Sequence, residues 1–254
     1  MPTNICSLAL QYAAYSHIHR IVFSGGEPMC HFTSLISSLQ ELNYDDNIKF
    51  SLCTNGFWGS DIDVSERLTA LLDNNFDTLI ISTDSYHQHF ISLDQSVIPL
   101  IKEALSLCLQ VKVIVSFDKN NKQFATVSRL RKMFQDRIDI KLRPVSPFGS
   151  AKINGIEISS LVQQSKLCNN AGNLCVRYDG ECFICCGPPI VYEYKPYQLG
   201  NILTTSINGL TDNIIHNEIC SYLPSVSNRE GSTLCAECIT HAKELDSMKK
   251  EEDP

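Results

Sequence analysis

No apolar run in the 254 residues approaches the roughly 20 that a membrane-spanning helix needs. The N-terminal stretch MPTNICSLALQYAAYSHIHR lacks a signal peptide's succession of basic, apolar and small residues, so a cytoplasmic protein is expected. Basic charge is in deficit. With 21 Lys and Arg against 28 Asp and Glu the formal charge is −7, which argues against nucleic acid or a membrane surface as partner. There is no internal repeat and no low-complexity tract. A Walker loop, a dinucleotide fingerprint and a Ser-His-Asp signature are all missing. The rest, 43% hydrophobic and 19% charged, is ordinary globular composition, long enough for one large domain or two small ones.

Cysteine is what the chain does have. Its twelve cysteines fall below the ~8–10% of a disulfide scaffold, but their placement is uneven. Cys6, Cys30, Cys53 and Cys108 are scattered through apolar or mixed surroundings and read as small buried hydrophobes. Cys168, Cys175, Cys182, Cys185, Cys186, Cys220, Cys235 and Cys238 crowd the last third. In a reducing compartment such a cluster favours a metal over disulfides.

Two styles of sequence meet near residue 150. Before it, β-branched runs alternate with helical patterns at about thirty residues per unit, as a partial or complete β/α barrel requires. The expected strands are Ile21–Ser24, Ile48–Thr54, Thr78–Thr83, Val111–Phe117 and Ile138–Pro144. Between them FTSLISSLQEL, VSERLTALLDNN, VIPLIKEALSLCL and FATVSRLRKMFQ repeat apolar residues every three or four positions. Asn74-Asn75 reads as a helix stop. Residues 151–254 are richer in Cys, Asn, Gly and Pro, and CVRYDGECFICC reads as a hairpin turning at Asp179-Gly180. Domains at 1–150 and 151–254 are expected.

Three polar strand ends follow one another in the first domain. SGGEP (Ser24–Pro28) closes the first strand. Its glycines let the backbone turn sharply and approach a ligand, Glu27 adds an anion and Pro28 stiffens the exit. Thr54-Asn55-Gly56 ends the second strand, and Ser82-Thr83-Asp84 ends the third and leads into Ser85-Tyr86-His87. Each alone is an ordinary turn. The succession of three is more specific. His87 and His89 lie at the same end, either as substrate-facing groups or as helix-start polar residues. Trp58 either packs over the pocket or belongs to the core.

In these motifs the sequence resembles the radical S-adenosylmethionine superfamily: IVFSGGEP is similar to its second-strand motif, LCTNG to its third and IISTDSYH to its fourth. The fold so implied is a partial β/α barrel of the radical SAM type, without its first strand. By that resemblance Gly25, Gly26, Glu27 and Pro28 hold the methionine moiety of S-adenosylmethionine, with Ser82 and Asp84 beside its ribose or carboxylate. Thr54 and Asn55 join that cofactor set. The family's Cys-x3-Cys-x2-Cys loop for the first 4Fe-4S cluster does not occur among the 254 residues. The chain therefore reads either as lacking an N-terminal strand and loop or as a degenerate member.

The second domain is similar to the family's SPASM or twitch extension. Cys168, Gly180 with eleven residues between them, Cys185, the Leu199-Gly200-Asn201-Ile202 string and Cys235-x2-Cys238 follow in its order. This implies one auxiliary 4Fe-4S cluster held by Cys168, Cys185, Cys235 and Cys238. The choice among Cys182, Cys185 and Cys186 stays open. From spacing alone, Cys182-x2-Cys185 with Cys235-x2-Cys238 also fits a zinc ribbon. The resemblance implies hydrogen abstraction by a 5′-deoxyadenosyl radical, a peptide or protein substrate as for a maturase, and a reductant such as flavodoxin or ferredoxin. The rival is a non-catalytic iron–sulfur or zinc module that binds a peptide or partner.

Overall fold

A computed structural model describes residues 1–42, 47–118, 123–145, 173–186, 195–219, 238, 241–245 and 247–248. They belong to two compact units, one formed by residues 13–145 and the other by residues 1–12 with those from 173 onward. After helix α1 (Thr3–Tyr15), the order is β1 (Arg20–Phe23), α2 (Phe32–Glu41), β2 (Lys49–Thr54), α3 (Val64–Asp73) and β3 (Phe76–Ser82). A one-turn helix α4 (Ser85–Gln88), α5 (Ile98–Ser106), β4 (Gln110–Phe117), α6 (Phe124–Phe134) and β5 (Asp139–Pro144) complete the larger unit. Each expected strand and helix of this region is found within about two residues of the sequence reading at each strand end and three at each helix end.

The five strands form one parallel sheet in the order β1-β2-β3-β4-β5. A doubly wound sheet reverses direction at a switch point; this one does not. Because β-α-β connections keep one hand, sequential order stacks their helices on one face of the sheet. That face is apolar. Phe50, Leu52, Leu79, Ile81, Val113 and Val115 on the strands are at most 1% exposed, as are Leu68, Leu71, Leu100, Ile101 and Leu130 on the helices. Burying each such side chain stabilises the fold by about 1.5–3 kcal/mol. Along β4 the rule of two is visible: Val111, Val113 and Val115 are buried, while Lys112, Ile114 and Ser116 between them are half-buried. Phe23, the last residue of β1, clusters with Phe50 and Phe76 near the starts of β2 and β3, with ring centroids 5.4–5.6 Å apart.

Helix ends follow the local chemistry. Asn74 caps α3, and Asn75 takes a left-handed turn at φ 62°, which asparagine tolerates better than most residues. Gly59 sits where any side chain would strike Ser96 O at 2.1 Å and Leu100 Cβ at 2.6 Å, so the turn after β2 packs directly on α5. The early cysteines depart from expectation. Cys6 is buried and Cys53 half-buried, but Cys30 and Cys108 are exposed, Cys108 at the left-handed turn (φ 62°) that follows α5.

In the other unit β6 (Cys175–Val176) and β7 (Glu181–Phe183) form the expected hairpin, extended by β8 (Gln198–Asn201) into a three-stranded antiparallel sheet. Gly180 turns it at φ 85°. Helix α7 (Ile207–Ile215) follows, capped by the Ser206 hydroxyl accepting from Gly209 N. No described helix is long and apolar enough to cross a membrane.

Candidate functional site

Parallel sheets bind ligands beyond the carboxyl ends of their strands, and here four consecutive strands end in polar residues. After β1, Gly25 (φ 90°) and Gly26 (φ 48°) are exposed, and a Cβ on either would meet nothing within 4 Å. Their need for glycine is conformational, and their backbone borders open space.

Glu27 ties this loop to the next. Its Oε1 accepts from Met29 N at 3.1 Å and from the Thr54 hydroxyl at 2.9 Å, while Oε2 accepts from Asn55 N at 2.7 Å. Pro28 opens the short 3-10 turn that Glu27 caps, where its missing N–H costs nothing. Thr54 is 3% exposed, and its oxygen also accepts from Gly56 N at 3.1 Å and Trp58 Nε1 at 3.0 Å. Trp58 is therefore a fully buried core residue. Asn55 is half-buried, with Oδ1 accepting from Phe57 N. The carboxylate of Glu27 and the hydroxyl of Thr54 are occupied by internal donors, leaving the glycine backbone and the Asn55 amide as the open surface of these loops.

The third strand end is more polar still. Ser82 is half-buried, and Thr83 is 1% exposed with no hydrogen-bond partner for its hydroxyl among the described residues. Asp84, 1% exposed, caps α4 by accepting from Tyr86 N and His87 N, both at 3.0 Å, and its Oδ1 lies 2.8 Å from His87 Nδ1. Burial alone would raise the Asp84 carboxyl, but hydrogen bonds from His87 and Ser116 hold it below the usual carboxylate range. His87 moves the opposite way. Its bond to Asp84 raises the imidazole against the effect of burial. His89 is exposed.

Sequence reasoning missed the fourth strand end. Asp118, buried just beyond β4, accepts a hydrogen bond from the Tyr86 hydroxyl. Burial and the Asp118 bond push that phenol up to about 12. Gln123 accepts from Ser85 N at 3.0 Å and donates to the Ser85 hydroxyl at 2.7 Å, so α4 is docked against the start of α6. The signal was available, because VKVIVSFD ends in a polar residue as the three preceding strands do.

The expected metal ligands are divided. Cys168 and Cys235 lie outside the described residues. Cys185 is half-buried in the loop after β7, and Cys238 is buried with its sulfur 2.9 Å from the Tyr197 hydroxyl. Cys182 is 0% exposed in the middle of β7, paired with Val176 on one side and Gly200 on the other. Burial pushes its thiol up to about 12 and that of Cys175 to about 11. Among the described residues no three His, Cys, Asp or Glu side chains gather into a metal-holding group. The Leu199–Ile202 string closes the hairpin: Asn201 Nδ2 donates to Asp179 O at 3.1 Å and to Glu181 Oε1 at 3.2 Å, and Ile202 N donates to Gly180 O at 2.8 Å.

Neither protein-family models nor curated proteins give a match to this chain.

Proposed function

We propose that this chain forms the body of a radical S-adenosylmethionine iron–sulfur enzyme that modifies a peptide or protein. The observation that carries the reading is the succession SGGEP, TNG and STD at the carboxyl ends of three neighbouring parallel strands. The residues fit such a cofactor. The Gly25-Gly26 backbone borders open space, the buried Thr83 hydroxyl lacks a partner among the described residues, and Ser82 and Asn55 are half-buried beside them.

The cofactor supplies hydrogen-atom abstraction once it is bound and reductively cleaved. The chain's own residues position it. In this reading Gly25 and Gly26 offer backbone groups to the methionine moiety, and Glu27 and Thr54 hold that backbone in place. Pro28 fixes the exit of the loop. Ser82 faces the ribose or carboxylate, and Asp84 orients His87, whose outer ring nitrogen is available for a proton on the substrate side. In the second unit Cys168, Cys185, Cys235 and Cys238 would hold one auxiliary 4Fe-4S cluster, thiolate donors suiting iron. Flavodoxin or ferredoxin fits as reductant.

A second reading is favoured by one observation: the 254 residues contain no Cys-x3-Cys-x2-Cys string for the first cluster. A non-catalytic iron–sulfur or zinc module is the form it takes. Purification without oxygen decides which metal the auxiliary site takes, and a brown protein with about four irons is expected. A colourless protein holding one zinc would overturn the iron–sulfur assignment. For the cofactor site, the chain is joined to a segment bearing the cysteine triplet, and calorimetry should then detect S-adenosylmethionine binding that Gly25→Val abolishes. Persistent absence of binding in the joined protein leaves the module reading.

A further inference from the structure

We infer that Tyr197 is a positioning residue for the auxiliary cluster, donating its phenolic hydrogen to the Cys238 sulfur and holding the reduction potential up. This rests on the iron–sulfur reading of the C-terminal unit. Tyr197 ends the short turn that enters β8 and is 0% exposed, its hydroxyl 2.9 Å from Cys238 Sγ. In a free thiol either atom may give the proton, but a cysteine bound to iron is a thiolate and has none to give. Tyrosine is then the donor.

The backbone of Tyr197 is fixed at the other expected ligand. Ile184 N, one residue before Cys185, donates to Tyr197 O at 3.0 Å. Asn217 Nδ2 donates to Pro196 O at 2.9 Å and pins the turn itself. One buried aromatic residue thus links Cys238 to the strand end that carries Cys185, although 53 positions separate these two cysteines (238 − 185 = 53). The choice of Cys185 over Cys182 agrees with this, because Cys182 lies inside β7 with its sulfur 3.5 Å from Gly180 O. Reduction adds negative charge that is spread over the cluster's sulfurs, and a hydrogen bond to one of them stabilises the reduced form more than the oxidised one.

The test uses the full chain loaded with iron and sulfide under anaerobic conditions. Tyr197→Phe should keep the iron content but shift the midpoint potential downward, and it should lose the H2O-to-D2O shift of the iron–sulfur stretching bands. Placing 3,5-difluorotyrosine at position 197, a stronger donor of nearly the same shape, should shift the potential upward, and it keeps the test decisive if the phenylalanine variant folds poorly. Iron bound normally with both potentials unchanged would overturn the role of Tyr197 and leave the cluster assignment standing. An unaltered chain that holds zinc, or no iron at all, would overturn both.

Discussion

Glu27 shows how one residue can tie two neighbouring loops together. Its two oxygens accept three hydrogen bonds, two of them from residues one β/α unit away. Glu27→Gln keeps an acceptor oxygen but turns an NH2 group toward one of those donors. With hydrogen bonds to charged groups worth about 1.5–3 kcal/mol, we expect a loss of about 1–2 kcal/mol in denaturant unfolding. Amide exchange at Asn55 should accelerate, and unchanged exchange there would contradict the tie between the loops. The Asp84–His87 pair makes a pH prediction. His87 is raised in the folded state, so its contribution is complete below the ordinary histidine value of 6.5 and is lost as pH rises through the raised one. Asp84 is lowered, so its contribution is present above the ordinary value of 3.8 and is lost as pH falls through the lowered one. Stability from this pair is therefore greatest between about pH 4 and 6.5. Asp84→Asn should flatten the alkaline side of that profile, which urea titrations at pH 5.5 and 8.5 would read. A variant with the profile unchanged would show that the pair is not coupled.

At the scale of elements, periodicity carried most of the information. Apolar residues every three or four positions located α2, α3, α5 and α6, and β-branched runs located all five strands, because burial on one face imposes those periods. Contacts between units were another matter. Nothing in the separate strings SGGEP and TNG signals that Glu27 accepts from Thr54 and Asn55, or that Thr54 holds the Trp58 indole. The surroundings of Cys30 and Cys108 are apolar or mixed in sequence, yet Cys30 lies within a 3-10 turn and Cys108 at a left-handed one, and both are at the surface. The sheet ends in β1 and β5, where Val22 is 48% and Leu142 45% exposed. Among the described residues each pairs on one side only, and apolar edges invite association. Val22→Lys should reduce binding of a hydrophobic dye and raise solubility with a stability change within about 0.5 kcal/mol. Unchanged dye binding would mean that the apolar surface lies elsewhere.

For the whole molecule, two units with different chemistry imply separable responses. If the cysteines of the C-terminal unit hold a cluster, metal binding there is largely folding energy. Cys238→Ala should then abolish bound iron and lower the melting temperature of that unit, while far-UV and tryptophan signals keep the transition of the sheet, where the single Trp58 reports. Loss of both transitions together would show one cooperative body.

The sequential strand order also has a kinetic side. Every strand pairs with its neighbour in the chain, so each step of sheet assembly closes a loop of one β/α unit and no strand waits for a distant partner. Assembly can start at any adjacent pair, and the best buried one, β2 with β3, has the most to gain. Leu79→Ala should therefore slow refolding in stopped-flow measurements, whereas Val22→Ala at the edge should act mainly on the unfolding rate. On a ribosome the same order would let the sheet grow as the chain emerges, with each new strand finding its place already made by the one before.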